Sequence, residues 1–239
     1  MRHLTGTMNQ EELGTLFGVG VGPGDPGMVT LRAVEIIKAV PTVAFPVHRK
    51  GADSRAYRTV RQHIPETTAR LPLVMPMTKT REKLTKAHEA AADALVEAAE
   101  QRRDVAYLSV GDPLFYSTFG YLAERFPGKV EVVSGISAMS AFAAAAGLPL
   151  AAGDTPTVVV TGAAHHDLEK ALEMGASVLI IKPRSLSKKS LELLESTGAL
   201  ERAGAAIELG GPSQHVIEKL DRQAASKLPY FAIIWIRDR

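Results

Sequence analysis

The sequence predicts an α/β protein built on parallel strands. Short apolar, β-branched runs alternate with longer segments of helical spacing through the first half of the chain. That alternation is the pattern of a parallel sheet covered by helices. Turn-forming Gly, Asp and Pro also cluster where the first and fourth apolar runs end. Open parallel sheets gather their ligands at such strand ends. At 239 residues the chain is long enough for two domains of this kind.

Taken in order, residues 15–19 read as the first strand, and the glycine-rich turn GVGPGDPGMVT follows. Residues 30–40 have helical apolar spacing. Residues 42–46 read as a second strand closed by Pro46, and the basic loop HRKGADSR leads into a helix near 56–63. A third strand covers 69–74. Residues 79–102, rich in Ala, Glu and Lys, form the longest helical pattern. A fourth strand at 105–110 precedes a helix at 116–126. Phe126-Pro127-Gly128 then breaks the alternation and marks the expected domain boundary. This predicts an N-terminal α/β domain over 14–126 with a mostly parallel sheet, and a C-terminal α/β domain over 127–239 with a mixed one. In the latter, strands are expected at 130–133, 157–161, 178–181, 205–209 and 230–236, with a helix at 137–146. The tight succession of turn, short helix and strands in 210–235 predicts an antiparallel part.

Bulk properties narrow the function. With 28 basic and 26 acidic residues the net charge is +2, too balanced to argue for nucleic acid or a membrane surface. Any anionic ligand must therefore meet a local basic patch. The chain has no cysteine, which excludes disulfides, thiolate metal sites and thiol nucleophiles and fits the cytoplasm. No metal site is expected. The longest apolar stretch, AFAAAAGLPLAA, contains Gly and Pro and is too short to span a bilayer. MRHLTGTMNQEEL is polar and lacks the apolar core of a signal peptide. Residues 1–13 therefore read as a loose leader, with Met8 as an alternative start.

Several motifs carry chemistry. Gly18, Gly20, Gly22 and Gly24 allow close backbone approach, to a ligand or within the turn itself. A dinucleotide fingerprint is disfavoured. Pro23 and Asp25-Pro26 stand where the chain should pass directly into a helix, and Asp25 would face a pyrophosphate. GDPLFYSTFGY, residues 111–121, repeats the Gly-Asp-Pro turn after a second strand. Asp112 is suited either to accept hydrogen bonds from a ligand or to cap a helix beginning near Tyr116. SGISAM resembles a nucleophile elbow but has Met139 where a glycine is needed, so Ser137 reads as a helix N-cap. His165 and His166 are adjacent and do not share a helix face, unlike a zinc helix. His48, Arg49, Lys50 and Arg55 form a basic cluster, either solvated or a landing site for carboxylates.

GVGPGDPGMVTLRA, VGDPLFYSTFGYL, VVSGISAMSAFAAAAGLPLAAGD and the late AAIELGG resemble, in that order, the tetrapyrrole methylase family. Its members methylate porphyrinoid carbons with S-adenosylmethionine. The YSTF after the second Gly-Asp-Pro resembles the branch that methylates C(20) of precorrin-2, or of its cobalt form, in cobalamin biosynthesis. The resemblance implies two α/β domains with the cofactor in the cleft between them, and usually a homodimer. It implies cofactor contacts at Pro23, Val110, Gly111, Asp112, Phe115, Ser117, Thr118, Ser137, Ala138, Lys182 and Gly210. Tyr116, with Ser117 and Thr118, would lie between cofactor and macrocycle. One departure is Ser134, where the family usually has proline before Gly135. His48, Arg49, Lys50 and Tyr116 are the expected substrate contacts. Tyr116, Asp112 and Glu208 are candidates for removing the proton after methyl transfer, and Tyr116 and Asp112 are the expected catalytic residues. Methylation at another ring position, a non-catalytic tetrapyrrole-binding module and a nicotinamide oxidoreductase are the alternatives.

Overall fold

A computed structural model describes residues 12–78 and 80–238; most of the expected leader, residues 1–11, lies outside the described residues. The chain divides into two compact units, the first ending at Ser137 and the second beginning at Ala138.

The first unit is a five-stranded parallel sheet of β1 (Leu16–Gly20), β2 (Thr42–Val47), β3 (Ala69–Val74), β4 (Val105–Ser109) and β5 (Val130–Val133), in the order β3-β2-β4-β1-β5. Every residue of β1 and β4 is buried, as expected for central strands covered on both faces. Alternate side chains feed two cores. Phe17, Val19, Val43, Phe45, Ala106 and Leu108 pack with α1 (Leu31–Ala39) and α2 (Arg55–Val60). Leu16, Ala44, Val105 and Tyr107 pack with α3 (Arg81–Ala99) and α4 (Phe119–Ala123). The period of two along each strand thus produces a three-layer unit.

Two expectations are corrected here. The boundary at 126–128 falls too early, because β5 pairs in register with β1, Leu16 opposite Val130. Phe126-Pro127-Gly128 is a turn within the first unit, and the break lies after Ser137. The helix expected over 116–126 is also shorter. Tyr116 sits at φ 52°, a left-handed conformation that no helix interior contains. The Ser117 hydroxyl accepts from the Phe119 amide and so starts α4 at Phe119.

The second unit holds a mixed sheet, order β6-β7-β10-β8-β9, made of β6 (Thr157–Thr161), β7 (Ser177–Ile181), β8 (Ala203–Ile207), β9 (His215–Ile217) and β10 (Ala232–Ile236). Strands β6 and β7 are parallel; β10 runs antiparallel to both β7 and β8, and β9 antiparallel to β8. One face carries α6 (His165–Glu173), α7 (Lys188–Ser196) and α8 (Arg222–Ser226). The other is covered by α5 (Ala138–Ala146), whose Phe142 packs with Leu179, Ile233 and Trp235. Among the described residues, no helix is long and apolar enough to cross a membrane.

Candidate functional site

In the first unit the candidate residues gather where β1, β2, β4 and β5 end. The connection leaving β1 runs to β2 on one side; the connection leaving β4 runs to β5 on the other. Neighbouring strands whose loops depart in opposite directions mark the switch point where open sheets bind ligands. The three central strand ends approach unusually closely. A Cβ on Gly135 would lie 2.1 Å from the Gly111 carbonyl oxygen, and one on Gly20 would lie 2.4 Å from the Gly135 nitrogen. These glycines let three backbones converge, so the close approach they permit is to one another. The two Gly-Asp-Pro turns are joined directly. The Gly111 amide donates to the Gly22 carbonyl at 2.8 Å, and the two residues form an isolated antiparallel bridge.

Asp112 fastens this junction. One carboxylate oxygen accepts from the Leu114 amide at 2.8 Å, and the other accepts from the Gly135 amide at 3.1 Å. The side chain therefore ties the β4 turn to the end of β5 and does not cap a helix. Behind it, the Ser109 and Ser117 hydroxyls are 2.8 Å apart, and the buried Tyr107 hydroxyl lies 2.9 Å from that of Thr118. Burial pushes the Tyr107 phenol up to about 12, against a smaller opposing effect of its Thr118 hydrogen bond. The polar half of YSTF is thus anchored to β4. Phe119 is fully buried in the core, whereas Tyr116 and the preceding Leu114 and Phe115 are exposed, with Phe115 and Tyr116 in an edge-to-face contact at 5.1 Å. Val110 is half-buried and Gly111 buried at the base of the turn.

The basic loop follows β2 at the same edge of the sheet, with His48, Arg49 and Lys50 all exposed. Arg55 behaves differently. It is half-buried, and its Nε donates to the Pro23 carbonyl at 3.0 Å. Ser137 is half-buried and directly precedes α5.

In the second unit, Lys182 follows β7 and Glu208 follows β8. These strands flank β10 and are both antiparallel to it, so both residues stand at one edge of that sheet. Each is left-handed at φ 53°. Phe231, at the same edge, accepts a backbone hydrogen bond from the Glu208 amide and is exposed. The Lys182 ammonium lies 5.8 Å from the Tyr230 ring centroid, and Gly210 is half-buried with φ 70°. Among the described residues, five non-glycine residues have positive φ, and Tyr116, Lys182 and Glu208 are three of them. Such conformations are costly for large side chains and gather at functional sites. Sequence patterning does not register φ, so this concentration was invisible before the fold. Likewise Arg55 gave no hint of its carbonyl partner, which lies 32 positions away. Ala138 opens α5 and touches the apolar cluster around Phe142. No group of three metal-ligating side chains occurs among the described residues.

The fold is that of a two-sheet α/β protein with its candidate residues at strand ends, and residues 15–224 match the family model for tetrapyrrole (corrin/porphyrin) methylases. The chain belongs to that family. It is 36% identical over 177 residues to a probable cobalt-precorrin-2 C(20)-methyltransferase of Methanocaldococcus jannaschii, covering 73% of this chain and 74% of that one. It is 32% identical over 237 residues to a precorrin-2 C(20)-methyltransferase of Sinorhizobium sp., covering 94% and 95%. Its fold matches that of a uroporphyrin-III C-methyl transferase from Thermus thermophilus complexed with S-adenosyl homocysteine, at TM-score 0.67, 20% identity and 94% and 97% coverage.

Proposed function

We propose that this chain is an S-adenosylmethionine-dependent methyltransferase acting on the C(20) meso carbon of precorrin-2 or cobalt-precorrin-2 in cobalamin biosynthesis. The observation that carries the reading is its nearly end-to-end similarity to a relative of that name. We read it as a cytoplasmic homodimer.

The residues present suit both ligands. Leu114, Phe115 and Tyr116 offer exposed apolar and aromatic surface beside a hydroxyl pair, the chemistry wanted by a flat macrocycle with polar arms. Asp112 uses one lone pair of each carboxylate oxygen on backbone amides. Each oxygen retains acceptor capacity for a ligand amine or hydroxyl. We assign Pro23, Val110, Gly111, Asp112, Phe115, Ser117, Thr118, Ser137, Ala138, Lys182 and Gly210 to the cofactor. His48, Arg49 and Lys50 are assigned to the carboxylates of the substrate, and Tyr116 to its macrocycle.

When bound, S-adenosylmethionine supplies an already activated methyl group. The chain's own task is then chiefly positioning. A rigid β4 turn, braced by Asp112 and by the Ser109–Ser117 and Tyr107–Thr118 pairs, holds Phe115 and Tyr116 in place. Asp112 is engaged as a brace, which leaves the Glu208 carboxylate, or Tyr116 only when it is ionised to its phenolate, to accept the departing C(20) proton.

Incubation with labelled S-adenosylmethionine and either precorrin-2 or its cobalt complex tests the reading. Product NMR should place the methyl at C(20). Methylation elsewhere on the ring, or binding without turnover, would overturn it. The relative rates on the two substrates identify which one the enzyme uses.

A further inference from the structure

We infer that Arg55 is a positioning residue for the loop after β1, and not one of the receptors for substrate carboxylates. The inference rests on the reading that Pro23 in this loop packs against the cofactor.

Ser54 N-caps α2, its hydroxyl accepting from the Tyr57 amide, and this makes Arg55 the first residue of the helix. From there the Arg55 side chain reaches the β1 loop, where Nε donates to the Pro23 carbonyl. Proline has no amide hydrogen, so its carbonyl is the only backbone group through which hydrogen bonding can hold Pro23. The next residue, Gly24, is at φ 144°, and a Cβ there would meet Arg55 Nη2 at 2.9 Å and Nε at 3.0 Å. The guanidinium therefore fills the space a side chain would take and sets how far the loop can lean toward α2. On the other side of Pro23, Gly22 is paired with Gly111. Pro23 is thus gripped from both flanks, by the Gly22–Gly111 bridge before it and by Arg55 after it. His48, Arg49 and Lys50 make no comparable contact with this loop; they are exposed in the turn after β2.

A guanidinium supplies a fixed, planar N–H at Nε, whereas a lysine ammonium sits at the end of a flexible stem. Arg55→Lys should therefore fail to restore what Arg55→Met loses, even though it keeps the charge. Losing a hydrogen bond from a charged donor should weaken S-adenosylhomocysteine binding on the order of tenfold by calorimetry. The KM for the tetrapyrrole, measured at saturating cofactor, should stay within twofold. Wild-type affinity for S-adenosylhomocysteine in Arg55→Met would overturn the inference. So would full rescue by lysine, or a rise in tetrapyrrole KM alone, which would make Arg55 a carboxylate receptor.

Hydrogen exchange on the ligand-free protein provides a second readout. Met28 donates to the Asp25 carbonyl and Gly27 to the Asp25 side chain. These amides should exchange faster in Arg55→Met while those of β1 and β4 keep their protection. Unchanged exchange would also defeat the inference. If the wild-type protein binds no S-adenosylhomocysteine, the functional reading fails, and the exchange experiment still decides whether Arg55 holds the loop.

Discussion

Asp112 shows how one side chain can look like a ligand contact in sequence and act as a brace in the fold. Replacing it with alanine removes two backbone hydrogen bonds to a charged acceptor and should destabilise the protein by about 1–3 kcal/mol. For a chain of this size the expected fall in Tm is roughly 3–10 °C, measured by calorimetry. An unchanged Tm would show that the β4 turn holds itself. Tyr107 allows a test by pH. Its folded value is about 12 against an ordinary 10.0. The raised value means that above about pH 10 the unfolded chain ionises while the folded one does not, so ionisation favours the unfolded chain. Its contribution is complete below about pH 10 and is lost as pH climbs to about 12, a change of about 3 kcal/mol. Tyr107→Phe should flatten that part of the stability curve and, by removing the Thr118 partner, cost about 1 kcal/mol at neutral pH. Urea denaturation at pH 8 and pH 11 measures both effects.

Among the elements, the meeting of β1, β4 and β5 is the most tightly specified feature. Gly135→Ala places a methyl 2.1 Å from the Gly111 carbonyl oxygen, a backbone atom that cannot swing aside. The strand ends must separate, at an expected cost of at least ~3 kcal/mol by the usual scale of overpacking. The variant should be recovered with a much lower Tm or not fold at all. A melt like that of the wild type would mean that the ends can part freely. The same junction explains why β5 was assigned to the wrong domain. VEVV is a good strand by composition, and nothing local says that its partner is Leu16–Val19, more than a hundred residues earlier. The short α4 has a different cause. The apolar spacing after Tyr116 is helical, but side-chain hydroxyls and one left-handed residue override propensity for the first turn.

For the whole molecule, charge at one loop is expected to govern substrate capture without governing cofactor affinity. Reversing Arg49 and Lys50 to glutamate should raise the KM for a polycarboxylate tetrapyrrole by about tenfold or more, since exposed ion pairs contribute roughly 0.2–1 kcal/mol each and reversal adds repulsion. Calorimetry with S-adenosylhomocysteine should give the wild-type Kd. A KM that does not move would remove this loop from the substrate site. The order of strands and helices in the first unit, the two α/β units, the paired Gly-Asp-Pro turns and the family were legible in the chain, because each depends on local spacing or on a contiguous motif; α7 and β9 of the second unit were not. Tertiary structure decided the membership of β5, the commitment of Asp112 to the Leu114 and Gly135 amides, the grip of Arg55 on Pro23, and the left-handed backbone at Tyr116, Lys182 and Glu208. Each of these arises from backbone geometry or from residues distant in sequence meeting at a strand end, and neither is encoded in the periodicity of side chains.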